Sequence, residues 1–288
     1  MMSLSARLFA ALCMLGLAAP VAAAPALWEV RDGNSAIRLF GSVHVLPEDL
    51  AWRTPLFDAL LAQADRVIFE TDLSFAAMTE MGARAYVEGI YVDGTLLTDI
   101  IDDEMERKLR EFAASAAVPF GTLLAMKPWM AANTVSAAAM ASLGYTAAGV
   151  ELVLLPELEA GRMGYLETGD EQLAVLTGGS VDEQLAMLAA TLDDMASLPK
   201  LMSKVLQRWV TGNPEALAAV LAVEAGGMDA AFMERLIHAR NRNWIVPLEA
   251  MLADDVESLV IVGAGHLVGD GSVLELLEQQ GYTVERLQ

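Results

Sequence analysis

Cysteine is all but missing from this chain: 288 residues contain one, Cys13. It sits in the opening segment MMSLSARLFAALCMLGLAAPVAAAPA, where Arg7 precedes an apolar run and then small residues suited to cleavage. That is the pattern of a secretory signal peptide, expected over residues 1–24 and placing the mature protein in the periplasm or outside the cell. The mature chain would then carry no thiol, which excludes disulfides, thiolate catalysis and cysteine-ligated metals. Any chemistry must use oxygen and imidazole groups.

Histidine is scarce as well, with three residues, and positive charge is outnumbered: 18 Lys and Arg face 39 Asp and Glu, for a formal net charge of −21. Such a surface repels phosphate backbones, so nucleic acid is not an expected partner. Long apolar runs are lacking beyond the leader. The uncharged stretch at 128–150, PWMAANTVSAAAMASLGYTAAGV, is dominated by small and weakly polar residues that gain little from lipid and suit close helix packing. No transmembrane segment is expected after the leader. Fixed-period repeats and Pro/Gly/Ser-rich linkers are also absent, so residues 25–288 read as a single domain.

What is present is an alternation of short apolar runs and longer helical patterns. Strands are predicted at Leu27–Val30, Ile37–Phe40, Val67–Phe69, Met163–Leu166, Leu259–Val262 and Tyr282–Leu287, the first two joined as an antiparallel hairpin through Asp-Gly-Asn. Helices are predicted at Pro55–Ala64, Phe75–Glu88, Leu97–Ala116, Gly121–Leu143, Asp170–Thr177, Asp182–Leu192, Leu201–Thr211, Pro214–Glu224 and Met228–Leu252. The fold class is α/β (α+β): a mixed central sheet, parallel in part, with helices on its faces and a large helical insertion at 72–162.

Two of the three histidines follow the same grammar, an apolar run ending in Gly-x-x-His: Gly41 to His44 and Gly263 to His266. Two further runs end on carboxylates, VIFE at Glu70 and GYLE at Glu167. In an open α/β sheet, ligands bind beyond the carboxyl ends of the strands, so these four residues suggest one site. Gly41, Gly263 and Gly265 remove side-chain bulk where the backbone turns beneath it. Neutral imidazoles with one or two carboxylates form a plausible ligand set for Zn²⁺, Mn²⁺ or Co²⁺, with a position left for an activated water. Glu70 has a bland alternative as a surface charge, and Glu167 as a cap for the next helix. Arg240 falls on the apolar face of its helix, where a guanidinium is costly without an anionic partner. His238 lies on a different face and reads as a surface or supporting residue.

These segments, taken in order, resemble the TraB/GumN family, which includes TraB, PrgY and the Tiki-type metalloproteases. The resemblance rests on LFGSVHVLP, VIFETDL, KPWM, GYLETGDEQLAVL, RNRNW and IVGAGHLVGDGSVLELLEQQGYTVERL, and covers essentially the whole mature chain. It implies an α/β fold shared distantly with erythromycin-esterase-type and haem-binding ChaN-type proteins, and peptide-bond hydrolysis with a divalent metal. Carried onto this sequence, it puts His44 and His266 at the metal, Glu70 and Glu167 as ligand or base in either order, and Arg240 with Asn241 supporting or polarising the substrate carbonyl. A peptide or protein substrate is implied, and the alternative is a non-catalytic haem-, metal- or peptide-binding protein of the cell envelope. One departure stands out: where the family often has Gly-x-Asp, this chain has Gly149-Val150-Glu151. The transmembrane tail of animal Tiki proteins has no counterpart here, which implies a soluble exported form.

Overall fold

A computed structural model describes residues 24–33, 35–146, 149–254 and 256–288. The expected leader therefore lies, apart from Ala24, outside the described residues. Among the described residues eight strands are formed: β1 Leu27–Arg31, β2 Ala36–Ser42, β3 Leu46–Pro47, β4 Arg66–Phe69, β5 Tyr145–Thr146, β6 Met163–Tyr165, β7 Ser258–Gly263 and β8 Thr283–Arg286. Six of them make one sheet in the order β6-β4-β7-β2-β1-β8, and β3 with β5 makes a two-stranded ribbon. The expected mixed sheet divides cleanly. β6, β4, β7 and β2 run parallel, whereas β1 pairs antiparallel with both β2 and β8.

Thirteen α-helices among the described residues accompany the sheet in chain order. α1 Pro55–Gln63 precedes β4, and α2 Phe75–Gly89, α3 Asp103–Ser115, α4 Phe120–Leu123, α5 Pro128–Ser142 and α6 Val150–Leu154 fall between β4 and β6. Then come α7 Gly169–Thr177, α8 Val181–Asp193, α9 Leu198–Val210, α10 Pro214–Ala225, α11 Ala230–Met233 and α12 Ala239–Asp254, with α13 Val273–Gln279 after β7. None of the described helices is long and apolar enough to cross a membrane.

Strand alternation builds the layers, because successive side chains point to opposite faces. Phe40, Val67, Phe69, Leu259 and Ile261 pack on one face with Phe57 of α1, Leu154 of α6, Trp209 of α9 and Leu217 of α10. Leu39, Ile68, Val260 and Val262 pack on the other with Trp244 and Leu248 of α12 and Leu277 of α13. A third core joins α3 and α5 to α8 through Leu109, Val135 and Leu188, so the segment at 72–162 is packed on a helix that follows it in the chain.

Three helices differ from their expected form. The pattern at 121–143 is split into α4 and α5 because Pro128 drives Lys127 into extended backbone, with φ −67° and ψ 155°. The region predicted as helix from Leu97 begins with a single 3₁₀ turn, and α3 starts only at Asp103, where the Asp102 side chain accepts the Met105 N–H. The helix expected over Met228–Leu252 is interrupted by a π turn at Glu234–His238, immediately before Arg240.

Candidate functional site

Each of the four parallel strands delivers one residue to the same sheet edge. In register, Ser42 of β2 lies beside Gly263 of β7, and Phe69 of β4 lies beside both Ile261 of β7 and Tyr165 of β6. His44, His266, Glu70 and Glu167 therefore leave four neighbouring strands at their carboxyl ends. From the helix layer, α12 adds Arg240 and Asn241. The preceding π turn widens the backbone, a feature frequent at functional sites, and both of these adjacent residues are buried, Asn241 completely.

Arg240 is the hub. Its Nε and Nη2 donate to the two oxygens of Glu167 at 2.9 and 2.6 Å, and Nη2 also donates to Glu70 Oε2 at 2.6 Å. Nη1 donates to the Leu236 carbonyl at 3.1 Å and meets His266 Nε2 at 3.0 Å. A guanidinium has only donors, so His266 Nε2 must be the bare, accepting nitrogen. Its Nδ1 then carries the proton and donates to Asn241 Oδ1 at 2.6 Å, while Asn241 Nδ2 donates to the Gly271 carbonyl at 2.8 Å. Trp244 closes this side: its ring lies 4.8 Å from the Arg240 guanidinium carbon and 4.4 Å from the His266 ring, and its Nε1 donates to Glu167 Oε2 at 3.3 Å. Thr168, not Glu167, caps α7, so the capping reading of Glu167 falls away. Glu70 is buried, which removes its reading as a surface charge.

His44 stands opposite, on the open side. Its Nδ1 lies 3.0 Å from Glu151 Oε1, and that carboxylate also accepts a short hydrogen bond from Ser42 Oγ. Glu151 is a site residue that sequence reasoning did not assign, noticed only as a departure from a family pattern. The signal for it is Gly149. A Cβ there would overlap the His44 carbonyl, so only glycine lets the start of α6 come against the His44 backbone and carry Glu151 to the ring. Gly263 plays the matching part at the centre, where a Cβ would sit 3.1 Å from His44 Nε2, 3.3 Å from Glu70 Oε1 and 3.6 Å from His266 Cδ2. Its amide donates to Glu70 Oε1 at 2.7 Å. A cavity of about 270 Å³ opens above, lined by His44, Glu70, Glu151, Gln172 and the apolar Leu73, Met78 and Leu152.

The charges follow from these contacts. Burial by itself would raise the Glu70 carboxyl, but the imidazoles, Arg240 and the Gly263 amide outweigh it and bring it down to about 2. His44 loses some charge stability to enclosure, yet the Glu151 hydrogen bond and the charges of Glu151 and Glu70 lift it to about 9. Burial pulls His266 down to about 4, with Glu70 opposing and Arg240 and His44 contributing. Burial raises Glu167 above the usual carboxylate range against the pull of Arg240. At neutral pH the open side thus pairs a charged His44 with an ionised Glu70, and the closed side holds a neutral His266.

The residues present do not fit the divalent ion that the resemblance implies. Of the four residues expected to share a metal, Glu70, Glu167 and His266 are joined instead through Arg240, whose guanidinium takes the His266 Nε2 lone pair that would face the ion, while His44 stands apart on Glu151. Among the described residues, no group of three or more His, Cys, Asp or Glu side chains is disposed to hold one.

The family model of the TraB/PrgY/gumN family matches residues 26–286. The chain is 25% identical over 262 residues to "Uncharacterized protein YbaP" of Escherichia coli (strain K12), covering 88% of this chain and 92% of that protein. The protein of the same name from Shigella flexneri is similar to the same extent, 25% over 262 residues. No solved structure matches.

Proposed function

The chain belongs to the TraB/PrgY/gumN family, and on that premise we propose that it is an exported hydrolase of peptide-like substrates that works at the gap between His44 and Glu70. One observation carries this reading: Glu70 Oε1 lies 3.9 Å from His44 Nε2 and 3.8 Å from His266 Nε2, on the lining of an open cavity. Both separations exceed a direct hydrogen bond, and the one between Glu70 and His44 suits a bridging water, since His266 Nε2 already accepts from Arg240.

The chemistry needs a proton acceptor and a proton donor on the same gap. Glu70, ionised by its cationic surroundings, takes a proton from water as the oxygen attacks the substrate carbonyl carbon. His44, protonated through Glu151, gives a proton to the departing amine nitrogen as the carbon–nitrogen bond breaks. Glu167 orients Arg240, which holds Glu70 in place from below, and Glu151 orients His44; Asn241 holds His266 beside Glu70. Leu73, Met78 and Leu152 give the cavity an apolar lining for a peptide side chain. That same lining favours a second reading, retention of a peptide or haem without turnover.

The test is digestion of a defined peptide mixture by the purified protein and by His44→Gln and Glu70→Gln. Cleavage by the parent and a loss of about 10²-fold or more in each variant is the expected result. Undiminished cleavage in either variant, or no cleavage with tight peptide binding, rejects the reading. The scheme needs no metal, and metal dependence would require Arg240 to withdraw from His266 Nε2. Activity that disappears with a chelator and returns with Mn²⁺, Co²⁺ or Zn²⁺ would replace this scheme with a metal-dependent one.

A further inference from the structure

Away from the site, the distribution of positive charge is uneven in a way the acidic composition makes conspicuous. Surface arginines in this chain are generally taken up by carboxylates: Arg53, Arg84, Arg107, Arg110 and Arg242 each have an ion-pair partner. Lys200, Lys204 and Arg208 engage no carboxylate among the described residues, although Asp and Glu outnumber Lys and Arg by 39 to 18. They recur every fourth residue on α9, so they form a row about 12 Å long at a rise of about 1.5 Å per residue.

That row is one wall of a groove of about 490 Å³, and α10 is the other. α10, PEALAAVLAVEA, is apolar nearly all round, yet only Leu217 is fully buried. A helix of that composition ordinarily has partners on every side. The groove is lined on this wall by Ala216, Ala219, Val220 and Val223, spaced as one helical stripe and followed by Glu224 at its end, and Val223 is 74% exposed. The side chains are small, so a neighbour could approach closely.

We propose that the groove between α9 and α10 seats an acidic amphipathic helix of a partner protein. Its carboxylates, repeating every fourth residue, would meet Lys200, Lys204 and Arg208, and its apolar stripe would lie on Ala216, Val220 and Val223. Both walls repeat at the pitch of an α-helix, which a guest helix shares. The cations lie along a groove wall and do not converge on one point, which disfavours a single phosphate. This inference is independent of the proposed hydrolysis.

The test uses the full chain and labelled helical peptides of about 18 residues. One set carries glutamates on one flank of a Leu/Ala stripe. A second has lysine in place of each glutamate, a third scrambles the order, and phosphatidylglycerol vesicles form a separate arm. Fluorescence anisotropy should show binding of the acidic peptides alone, weakened at least about tenfold by Lys200→Glu with Lys204→Glu and by Val223→Asp. Lys200→Gln with Lys204→Gln, which leaves α9 free of new charge, should weaken binding by a smaller factor and guards against misfolding. Equal binding of the scrambled peptide, binding of vesicles in place of peptides, unchanged binding by the variants, or no binding by any peptide overturns the proposal.

Discussion

Arg240 Nη1 meets His266 Nε2 at 3.0 Å, and this contact settles the protonation of the ring: the nitrogen facing the guanidinium is bare, and the other donates to Asn241. The same guanidinium pairs with Glu70 and Glu167, so a single cation holds two buried carboxylates and one imidazole in register. Removing it leaves Glu167 with no cation beside it and Glu70 with His44 alone, 3.9 Å away.

Arg240→Met should therefore destabilise the protein by about 3–5 kcal/mol, the usual cost of removing one partner from a buried ion pair. Urea denaturation checks this. A loss under about 1 kcal/mol would mean that water reaches the two carboxylates and that the cluster contributes as little as an exposed pair.

Glu151→Gln should lower the His44 pKa from about 9 toward its ordinary value, because the variant removes the hydrogen bond to a charged acceptor and that acceptor's charge. With three histidines in the chain, the ring resonance is assignable by comparison with His44→Gln. An NMR titration that moves by less than half a unit would show that Glu70, not Glu151, holds the proton on His44.

Gly263→Ala places a methyl group 3.1 Å from His44 Nε2 and 3.3 Å from Glu70 Oε1, in the gap where water would sit. Peptide cleavage should fall by about 10²-fold or more. Gly265→Ala is the control, since a Cβ there meets only Leu221 and Ile237 at 3.7 and 3.9 Å. Equal activity in both variants would remove the gap from the mechanism.

Acid should weaken the fold in two stages. His266 has a folded pKa of about 4, below its unfolded value near 6.5, so its contribution is complete above about 6.5 and lost as the pH falls toward 4. For this buried ring the loss is of the order of 3 kcal/mol. Glu70, about 2 in the folded state, adds its loss below about 4.5. His44, about 9 in the folded state, adds stability as the pH falls to about 6.5, so the comparison is made below that point: stability measured from pH 6.5 down to pH 4 should drop for the parent and much less for His266→Asn, which retains a polar side chain without a titrating ring. A parallel decline in both would point to other groups.

The architecture is largely legible in the sequence, because strands buried on both faces read as unbroken apolar runs and the residues ending them are polar. Thus the order of residues at Phe69-Glu70 and from Gly263 to His266 already marks the edge they share. Arg240 announces itself by lying on an apolar face. What cannot be read is how the polar groups divide among themselves. Nothing local in the sequence says that Arg240 takes the lone pair of His266, or that Glu151, 107 residues from His44, reaches its Nδ1. The breaks at Pro128 and before Arg240 are hidden for a related reason: helical periodicity survives a kink or a single wide turn, whereas hydrogen-bond pattern does not.

The place of β7 in the sheet has a consequence for how the molecule is made. This strand, Ser258–Gly263, is inserted between β4 and β2, which are synthesised roughly two hundred residues before it. Until the ribosome has released it, those two strands have open inner edges and no common partner, an arrangement that invites wrong pairing. The joining of β4 to β2 through β7 therefore waits until residues 258–263 have been made. A fragment ending before residue 258 would lack the middle of its own sheet.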